Sequence, residues 1–219
     1  MSRAPAPASA RPSRAIRALG PVEPRRAPLA LVTDGGETID LGADRWWDSA
    51  DVVERSLLAA VPDPVLDVGC GPGRIVADLA AAGRPTLGVD SSPHAVVAAR
   101  RRAPVLQRSV FGPLPGEGRW GSVVLFDGNV GIGGDPAALL GRCATLVRTG
   151  GRVLVEVEPP GTTSGPLRVR LQSGDDASGW FPWARVAVDA FADQARQAGL
   201  CPLGAETAGG RWFAQAERP

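Results

Sequence analysis

A glycine-rich turn between an apolar strand and a helix constrains the fold of this chain more than any other segment. The turn lies within Val65-Leu66-Asp67-Val68-Gly69-Cys70-Gly71-Pro72-Gly73-Arg74. Glycines at alternate positions let the backbone turn tightly, and they let a ligand lie directly against the backbone at the N-terminus of the following helix. The segment therefore predicts a β–turn–α unit that binds a ligand.

Strand and helix patterns alternate through the rest of the chain. Strands are predicted at Val65–Val68, Thr86–Val89, Val105–Gln107, Ser122–Phe126 and Arg152–Val157, with a closing hairpin at Leu203–Thr207 and Trp212–Gln215. Helices are predicted at Arg74–Ala82, from Ser92 to about Arg102, from Asp135 onward and at Val188–Ala198. The pattern predicts an α/β fold: a doubly wound, mostly parallel seven-stranded sheet with helices on both faces and a C-terminal antiparallel hairpin.

The chain is predicted to hold one folded domain behind a disordered tail. Residues 1–28 repeat Ala, Pro, Ser and Arg, so they cannot bury enough apolar surface to offset the entropy of ordering. In the domain, residues 29–219, an N-terminal hairpin at Leu29–Leu41 and a helix at Trp46–Ala60 form a cap over residues 29–60. Residues 65–160 are the ligand-binding core. Residues 161–219 form a region on the substrate side, with a strand at Leu167–Leu171.

Composition excludes several classes of function. The tail holds six Arg and one Glu, so its net charge is +5. Because the whole chain carries +1, residues 29–219 carry −4. A nucleic-acid partner needs Lys and Arg concentrated on one face, which a mildly acidic domain does not offer. No apolar run is long enough for a membrane span, and the cysteines at positions 70, 143 and 201 lack the spacing of a metal or disulfide framework. We expect a cytoplasmic protein with a small-molecule partner and no metal; its oligomeric state stays open.

Two acidic residues at strand ends indicate what the turn binds. Asp67 precedes the first glycine by two positions, where a carboxylate would repel a pyrophosphate and suits a cationic group such as an ammonium or a sulfonium. A dinucleotide-binding loop would also read GxGxxG, whereas this turn reads GxGxG. Asp90 ends the next strand, where a carboxylate can accept hydrogen bonds from both hydroxyls of a ribose.

These motifs resemble those of the class I S-adenosylmethionine-dependent methyltransferases. In that family an acidic residue precedes GxGxG, as in Asp67–Gly73, and a second acidic residue ends strand two, as in Gly88-Val89-Asp90. The resemblance covers about Val65 to Pro160. It implies a Rossmann-like fold and S-adenosyl-L-methionine as cofactor, with cofactor contacts at Asp67, Gly69, Cys70, Gly71, Gly73 and Asp90.

The chain departs from the family pattern on the adenine side. After strand three the family often has an acidic residue that accepts a hydrogen bond from the adenine amino group, whereas this chain has Val110. The residue after the ribose acid is usually bulky and apolar in the family, and here it is Ser91. We therefore expect backbone groups and packing against Val110 and Phe111 to hold the adenine, with Ser91 among the cofactor contacts.

Asp127 and Asn129 are the candidate catalytic residues. They follow strand four at the carboxyl edge of the sheet, and the resemblance implies that this stretch lines the acceptor pocket and the methionine end of the cofactor, which Asp127 would also contact. Either residue can orient the acceptor or take its proton. We favour positioning, because no Tyr exists and the single His, His94, is expected on the adenosine side. An ordinary Asp-Gly-Asn turn is the alternative.

Two other groups of residues leave alternatives open. Glu156 and Glu158 lean to one face of strand five, either into the active site or into solvent. Four aromatic residues are interpreted as core, with an apolar acceptor pocket as the alternative: Trp180, Phe181, Trp183 and Trp212.

The sequence thus predicts a methyltransferase that acts on a small-molecule acceptor by in-line transfer. Two other functions remain open: an enzyme that uses the same cofactor without methyl transfer, as aminopropyltransferases do, and a cofactor-binding regulatory or partner subunit.

Overall fold

The computed structural model describes residues 29–219, so the predicted tail, residues 1–28, lies outside the described residues. In chain order the strands are β1 Leu29–Thr33, β2 Thr38–Asp40, β3 Val65–Val68, β4 Thr86–Asp90, β5 Val105–Gln107, β6 Trp120–Leu125, β7 Val147–Val157, β8 Gly165–Ser173, β9 Asp176–Ala177, β10 Phe181–Arg185, β11 Cys201–Ala208 and β12 Arg211–Glu217. The α-helices are α1 Val52–Ala59, α2 Arg74–Ala81, α3 Pro93–Ala99, α4 Pro136–Leu146 and α5 Val188–Gln197.

Seven strands form the main sheet, in the order β11-β12-β7-β6-β3-β4-β5. Strands β3 to β7 run parallel to one another, and the hairpin of β11 and β12 joins β7 in antiparallel pairing. The predicted mostly parallel seven-stranded sheet with a C-terminal hairpin is therefore confirmed. The strand order changes direction at β3, which lies between β4 and β6, and open α/β sheets bind ligands at such a switch point, outside the carboxyl ends of the strands.

Both faces of the main sheet are covered, which explains why its strands are apolar at nearly every position. Val65 packs with α1 and α2 residues such as Leu58 and Ile75, whereas Leu66, the next residue, packs with α4 residues such as Leu139. Successive side chains of a strand point to opposite faces, so a strand between two helical layers buries both sets. The sheet is therefore a rigid support for the loops at its carboxyl edge.

The helices begin where the sequence supplies a cap. The Ser92 side chain accepts a hydrogen bond from the Ala95 amide at 3.3 Å, and Asp135 accepts one from the Ala138 amide at 3.0 Å. In both helices a proline occupies the first turn, where its missing N–H costs nothing. The predicted starts of these two helices agree with the structure.

The cap helix predicted at Trp46–Ala60 is two separate elements. A 3-10 helix covers Ala43–Trp47, and α1 starts only after Asp51. Asp51 accepts from the Glu54 amide at 2.8 Å, and Glu54 accepts from the Asp51 amide at 2.9 Å. This capping box satisfies the backbone amides of Asp51 and Glu54 and makes Asp51 the N-terminal boundary of α1. The amphipathic spacing that continues across Asp48–Asp51 therefore does not mark one continuous helix.

A second sheet, absent from the predicted fold, stands beside the carboxyl edge of the main sheet. It is antiparallel, in the order β10-β8-β1-β2, with β9 paired to β8. The predicted N-terminal hairpin supplies β1 and β2, and the aromatic residues Phe181 and Trp183 lie in strand β10. The N-terminal hairpin and the strands β8 to β10 thus form one sheet.

None of the helices within residues 29–219 is long and apolar enough to cross a bilayer. The same residues bring no group of three or more His, Cys, Asp or Glu side chains together in an arrangement that suits a metal ion.

Candidate functional site

The glycine turn follows β3 directly, at the switch point of the main sheet. Gly69, Gly71 and Gly73 have φ angles of 74°, 53° and 85°, so any side chain there would strain the backbone. A Cβ at Gly69 would lie 2.6 Å from Asn129 Nδ2, and one at Gly73 would lie 3.1 Å from the Ala99 Cβ. A Cβ at Gly71 would meet no atom within 4 Å. Gly71 therefore leaves space for a ligand, whereas Gly73 allows close packing against α3 and does not line the cavity described below.

Asp67 is a buried carboxylate with an unused acceptor. Its side chain is 2% exposed, and its Oδ2 has no hydrogen-bond partner among the described residues. Burial raises the pKa of Asp67 to about 8, and the nearby Arg74 opposes that rise. A cation beside Oδ2 would satisfy this atom and favour the ionised form. The environment matches the predicted preference for an ammonium or sulfonium group.

Asp90 ties the end of β4 to the glycine turn. Its Oδ2 accepts a hydrogen bond from the Gly71 amide at 2.9 Å, and its Oδ1 accepts one from the Ser92 amide at 2.7 Å. Burial raises the pKa of Asp90, and these amides oppose the rise. Each carboxylate oxygen keeps a second lone pair, so two ribose hydroxyls can still donate to it.

Ser91, Val110 and Phe111 line the cavity together with Asp90. Val110 is buried, and its carbonyl oxygen accepts a hydrogen bond from Arg142 Nε at 2.9 Å. Phe111 is 47% exposed, and its ring covers Gly133, where a Cβ would lie 2.9 Å from the ring. His94 also lines this cavity, from the first turn of α3. This part of the cavity thus combines the apolar side chains of Val110 and Phe111 with the polar groups of Asp90, Ser91 and His94.

Cys70 lines the cavity as well, but its thiol is enclosed by the sheet. A Cβ added at Gly88 would lie 2.7 Å from the Cys70 Sγ, so the thiol occupies the space beside that glycine. Burial raises the pKa of the Cys70 thiol above its ordinary value. Cys70 therefore packs and offers no nucleophile.

Asp127 and Asn129 follow β6 and line the same cavity. Asn129 Nδ2 donates hydrogen bonds to the carbonyl oxygens of Val68 at 3.1 Å and Gly69 at 3.0 Å. Asp127 has a φ of 55°, which is unusual for a residue other than glycine, and its amide donates to Glu156 Oε2 at 2.9 Å. Both residues are thus held firmly against the glycine turn and β7.

A cluster of ion pairs holds Asp127 in place beside the cavity. Arg74 is 4% exposed; its guanidinium binds Glu54 through Nη1 and Asp127 Oδ2 at 2.8 Å through Nη2. Arg45, from the 3-10 helix, binds the other oxygen of Asp127. The remaining pairs in this ionic cluster are Arg211 with Asp51, Glu54 and Glu156, and Arg45 with Glu156. Each carboxylate in the ionic cluster faces at least one arginine, so the buried charges compensate one another.

A cavity of about 930 Å³ connects these groups to the second sheet. Ligand pockets usually measure about 300–1,000 Å³, so this one is at the large end of the range. Its far wall, opposite the glycine turn, comes from the 3-10 helix and the second sheet, with Trp46, Trp47, Leu31, Leu171, Phe181 and Trp183 among its residues. A smaller cavity of about 310 Å³ adjoins it; Asp127 lines both, and Glu156, Glu158 and Trp212 line the smaller one.

Fold and site together define an α/β enzyme that binds a nucleoside-like ligand at the carboxyl edge of a parallel sheet. Residues 37–203 match the protein family described as the methyltransferase domain. Because the match spans more than half of the chain, the protein belongs to this methyltransferase family. The resemblance that the sequence predicts is therefore confirmed.

Solved structures of similar fold belong to the same class of enzyme. A methyltransferase from Bacteroides fragilis, solved with S-adenosyl-L-homocysteine, aligns with a TM-score of 0.71 and 18% identity over 89% of each chain. The 1,6-didemethyltoxoflavin N1-methyltransferase of Burkholderia thailandensis aligns with a TM-score of 0.57 and 22% identity over 81% of this chain and 82% of its own. CalS10, an amino pentose methyltransferase from Micromonospora echinaspora, aligns with a TM-score of 0.57 and 18% identity over 80% of this chain and 92% of its own. A search of the curated proteins found no match.

The structure brings together all predicted site residues except Gly73, and it adds residues that the sequence analysis missed. Arg45, Arg74 and the two adjacent tryptophans, Trp46 and Trp47, belong to the site. Arg74 directly follows the last glycine of the turn, which could have indicated its place. The signal was absent for Arg45, because it lies just before the helix predicted at Trp46–Ala60 and was assigned to no element.

Proposed function

We propose that this chain transfers a methyl group from S-adenosyl-L-methionine to a small-molecule acceptor held between the glycine turn and the second sheet. The observation that carries the proposal is a single cavity lined at one end by Asp67, Gly71 and Asp90 and at the other by apolar side chains. The orphaned Oδ2 of Asp67 and the open space at Gly71 fit the cationic and nucleoside parts of this cofactor.

The residues present divide the work of binding. Asp67 would receive the cationic methionine end, Asp90 the ribose, and Ser91, Val110 and Phe111 the adenine. When bound, the cofactor supplies an electrophilic methyl group: the carbon–sulfur bond breaks with its electron pair staying on sulfur, a bond forms to an acceptor oxygen, nitrogen or carbon, and any acceptor proton leaves to solvent. Much of the rate then comes from alignment of the two reactants.

Asp127 is proposed as a positioning residue. Its two carboxylate oxygens are bound by Arg45 and Arg74, and two guanidinium groups stabilise the charge that a general base would have to give up. Asn129 uses its amide group on the carbonyls of the glycine turn, which keeps the turn in register with β6. Neither residue is therefore proposed to move a proton.

An assay for S-adenosyl-L-homocysteine release from a panel of acceptors tests the proposal. Turnover that depends on the acceptor supports methyl transfer. Tight binding of S-adenosyl-L-methionine with no product from any acceptor would favour the alternative, a binding protein of the same fold.

The buried state of Asp67 predicts proton release on cofactor binding. With a pKa of about 8, Asp67 is mostly protonated at pH 7 in the free protein. A bound cation lowers that pKa, so binding should release close to one proton, and affinity should rise as the pH increases toward 8. Calorimetry at pH 7 in buffers of different ionisation enthalpy measures the release. Asp67→Asn is the control and should release none; an equal release from the variant would contradict the assignment.

Replacement of Asp127 by asparagine separates positioning from base catalysis. Asparagine tolerates the left-handed backbone at this position but cannot hold both arginines. We therefore expect the Michaelis constant for the cofactor or for the acceptor to rise by about tenfold or more, with kcat within about threefold of wild type. A general base would instead show kcat reduced by about 10²–10⁴ with cofactor affinity unchanged. Asp135→Asn, which preserves the cap of α4, is the matched control and should match wild type.

A further inference from the structure

We propose that the acceptor is a flat, uncharged ring compound bound between the 3-10 helix and the second sheet, in a space we call the acceptor chamber. The chamber is lined by Trp46, Trp47, Leu31, Leu171, Phe181 and Trp183. This inference rests on the proposed function and names the substrate class for it.

The second sheet presents only apolar side chains to the cavity. It contributes six lining residues, all leucine, proline or aromatic, from β1, β8 and β10. Cross-strand pairing sets Leu31 opposite Leu171, and Phe181 and Trp183 lie two positions apart on β10, on the same face of the strand. The rings of Phe181 and Trp183 meet edge to face, with centroids 6.2 Å apart. Such a wall gains free energy by covering an apolar ligand and offers few hydrogen bonds to a polyol.

Charged side chains of the cavity lie on its other side. Among the described residues, those that line it come from the main sheet, its helices and its loops, and none comes from residues 29–47 or from the second sheet. Of these charged residues, Asp127 is already bound by Arg45 and Arg74. A charged acceptor enclosed between the apolar side chains of the 3-10 helix and the second sheet would therefore lose its water without an ion-pair partner from those lining residues, which disfavours charged acceptors.

Tryptophan side chains give the chamber a preference for rings. Trp46 and Trp47 stand opposite the strand residues, and indole faces stack on flat π systems more favourably than on saturated chains. The Trp46 indole N–H is shielded from solvent and has no acceptor among the described residues. A ring oxygen or nitrogen of the ligand would accept this hydrogen bond, which removes the cost of a buried unpaired donor.

The volume leaves room for this second ligand. The cavity of about 930 Å³ is near the upper limit for a single drug-sized ligand, and the glycine turn and Asp90 occupy only one end of it.

Matched acceptors test the chemistry of the chamber. The full chain, saturated with S-adenosyl-L-methionine, is assayed with naphthol and hydroxyquinoline as neutral rings, with naphthoic acid as a charged ring, and with glucosamine as a charged polyol. We expect kcat/KM for the neutral rings to exceed that of the other two by about tenfold or more. Binding of the same compounds to the protein loaded with S-adenosyl-L-homocysteine is measured by calorimetry.

Two tryptophans on the same strand region supply a matched pair of variants. Trp183→Ala removes a chamber ring and should raise KM for naphthol by about tenfold, with the cofactor dissociation constant within about twofold of wild type. Trp180→Ala removes an exposed ring, which stacks on Arg168 and Arg170 outside the cavity, and should leave both values unchanged.

The outcomes distinguish this inference from the function on which it rests. Turnover of glucosamine or naphthoic acid in preference to the neutral rings overturns the chamber assignment and leaves methyl transfer intact. Tight naphthol binding with no methylated product from any acceptor supports the chamber and overturns the proposed function. No binding of either neutral ring, or equal effects of the two tryptophan variants, overturns the chamber.

Discussion

Replacing Gly71 by valine should abolish binding of S-adenosyl-L-methionine, with an affinity loss of at least about a hundredfold, while the protein still unfolds in one cooperative transition. A Cβ at Gly71 meets no protein atom within 4 Å, so the added side chain enters the cavity without disturbing the core. The loss of about 2.7 kcal/mol or more follows from exclusion of the ligand from the backbone. Calorimetric titration and a thermal melt measure the two quantities.

Gly83→Val separates ligand exclusion from backbone strain. Gly83 has a φ of 72° and, like Gly71, no atom within 4 Å of an added Cβ, but it follows α2 and does not line the cavity. In both variants the side chain on a left-handed backbone lowers the free energy of unfolding by about 1–2 kcal/mol. Only Gly71→Val should lose the cofactor. Equal binding by the two variants would show that the ligand does not lie on the turn. Protection of the wild-type protein from thermal unfolding by NADH, and not by S-adenosyl-L-methionine, would contradict the assignment of the GxGxG turn.

The second large effect concerns stability: Glu54→Ala should lower the free energy of unfolding by about 3–5 kcal/mol. Glu54 is 0% exposed and pairs with both Arg74 and Arg211. Its removal leaves two guanidinium groups short of a partner in a buried site and also dissolves the capping box of α1. Urea denaturation followed by circular dichroism measures the change.

Glu37→Ala is the matched control for this measurement. Glu37 pairs with Arg185 at 2.7 Å, but its side chain is 54% exposed, so removal should cost less than about 1 kcal/mol. Similar losses for both variants would mean that burial of the ionic cluster contributes little to stability.

The main sheet was predictable because its strands and caps carry local signals. Val65–Val68 is mostly apolar and is followed directly by the glycine turn, and Ser92 with Pro93 marks the start of α3 within its own few residues. The cofactor end of the site followed for the same reason, since Asp67 lies one position before the end of a recognisable strand and Asp90 ends the next one.

The second sheet and the ionic cluster escaped prediction because they depend on distant partners. β1 alone is a short apolar segment, and its place is decided by pairing with β8, where Leu29 faces Ser173. The Arg74 side chain is buried only because Glu54 and Asp127 approach it from two other elements. Spacing within one segment holds no information on such contacts, and a buried arginine looks in sequence like a solvated one.

Pairing between β1 and β8 also sets the order in which the two halves of the cavity can form during synthesis. The glycine turn and its neighbouring strands are complete well before β8 leaves the ribosome. At about 5–20 residues per second, β1 waits on the order of ten seconds for its partner. A nascent chain that ends before Gly165 therefore carries the turn and both strand-end carboxylates but lacks β8 and β10, so its tryptophans Trp46 and Trp47 have no opposing wall.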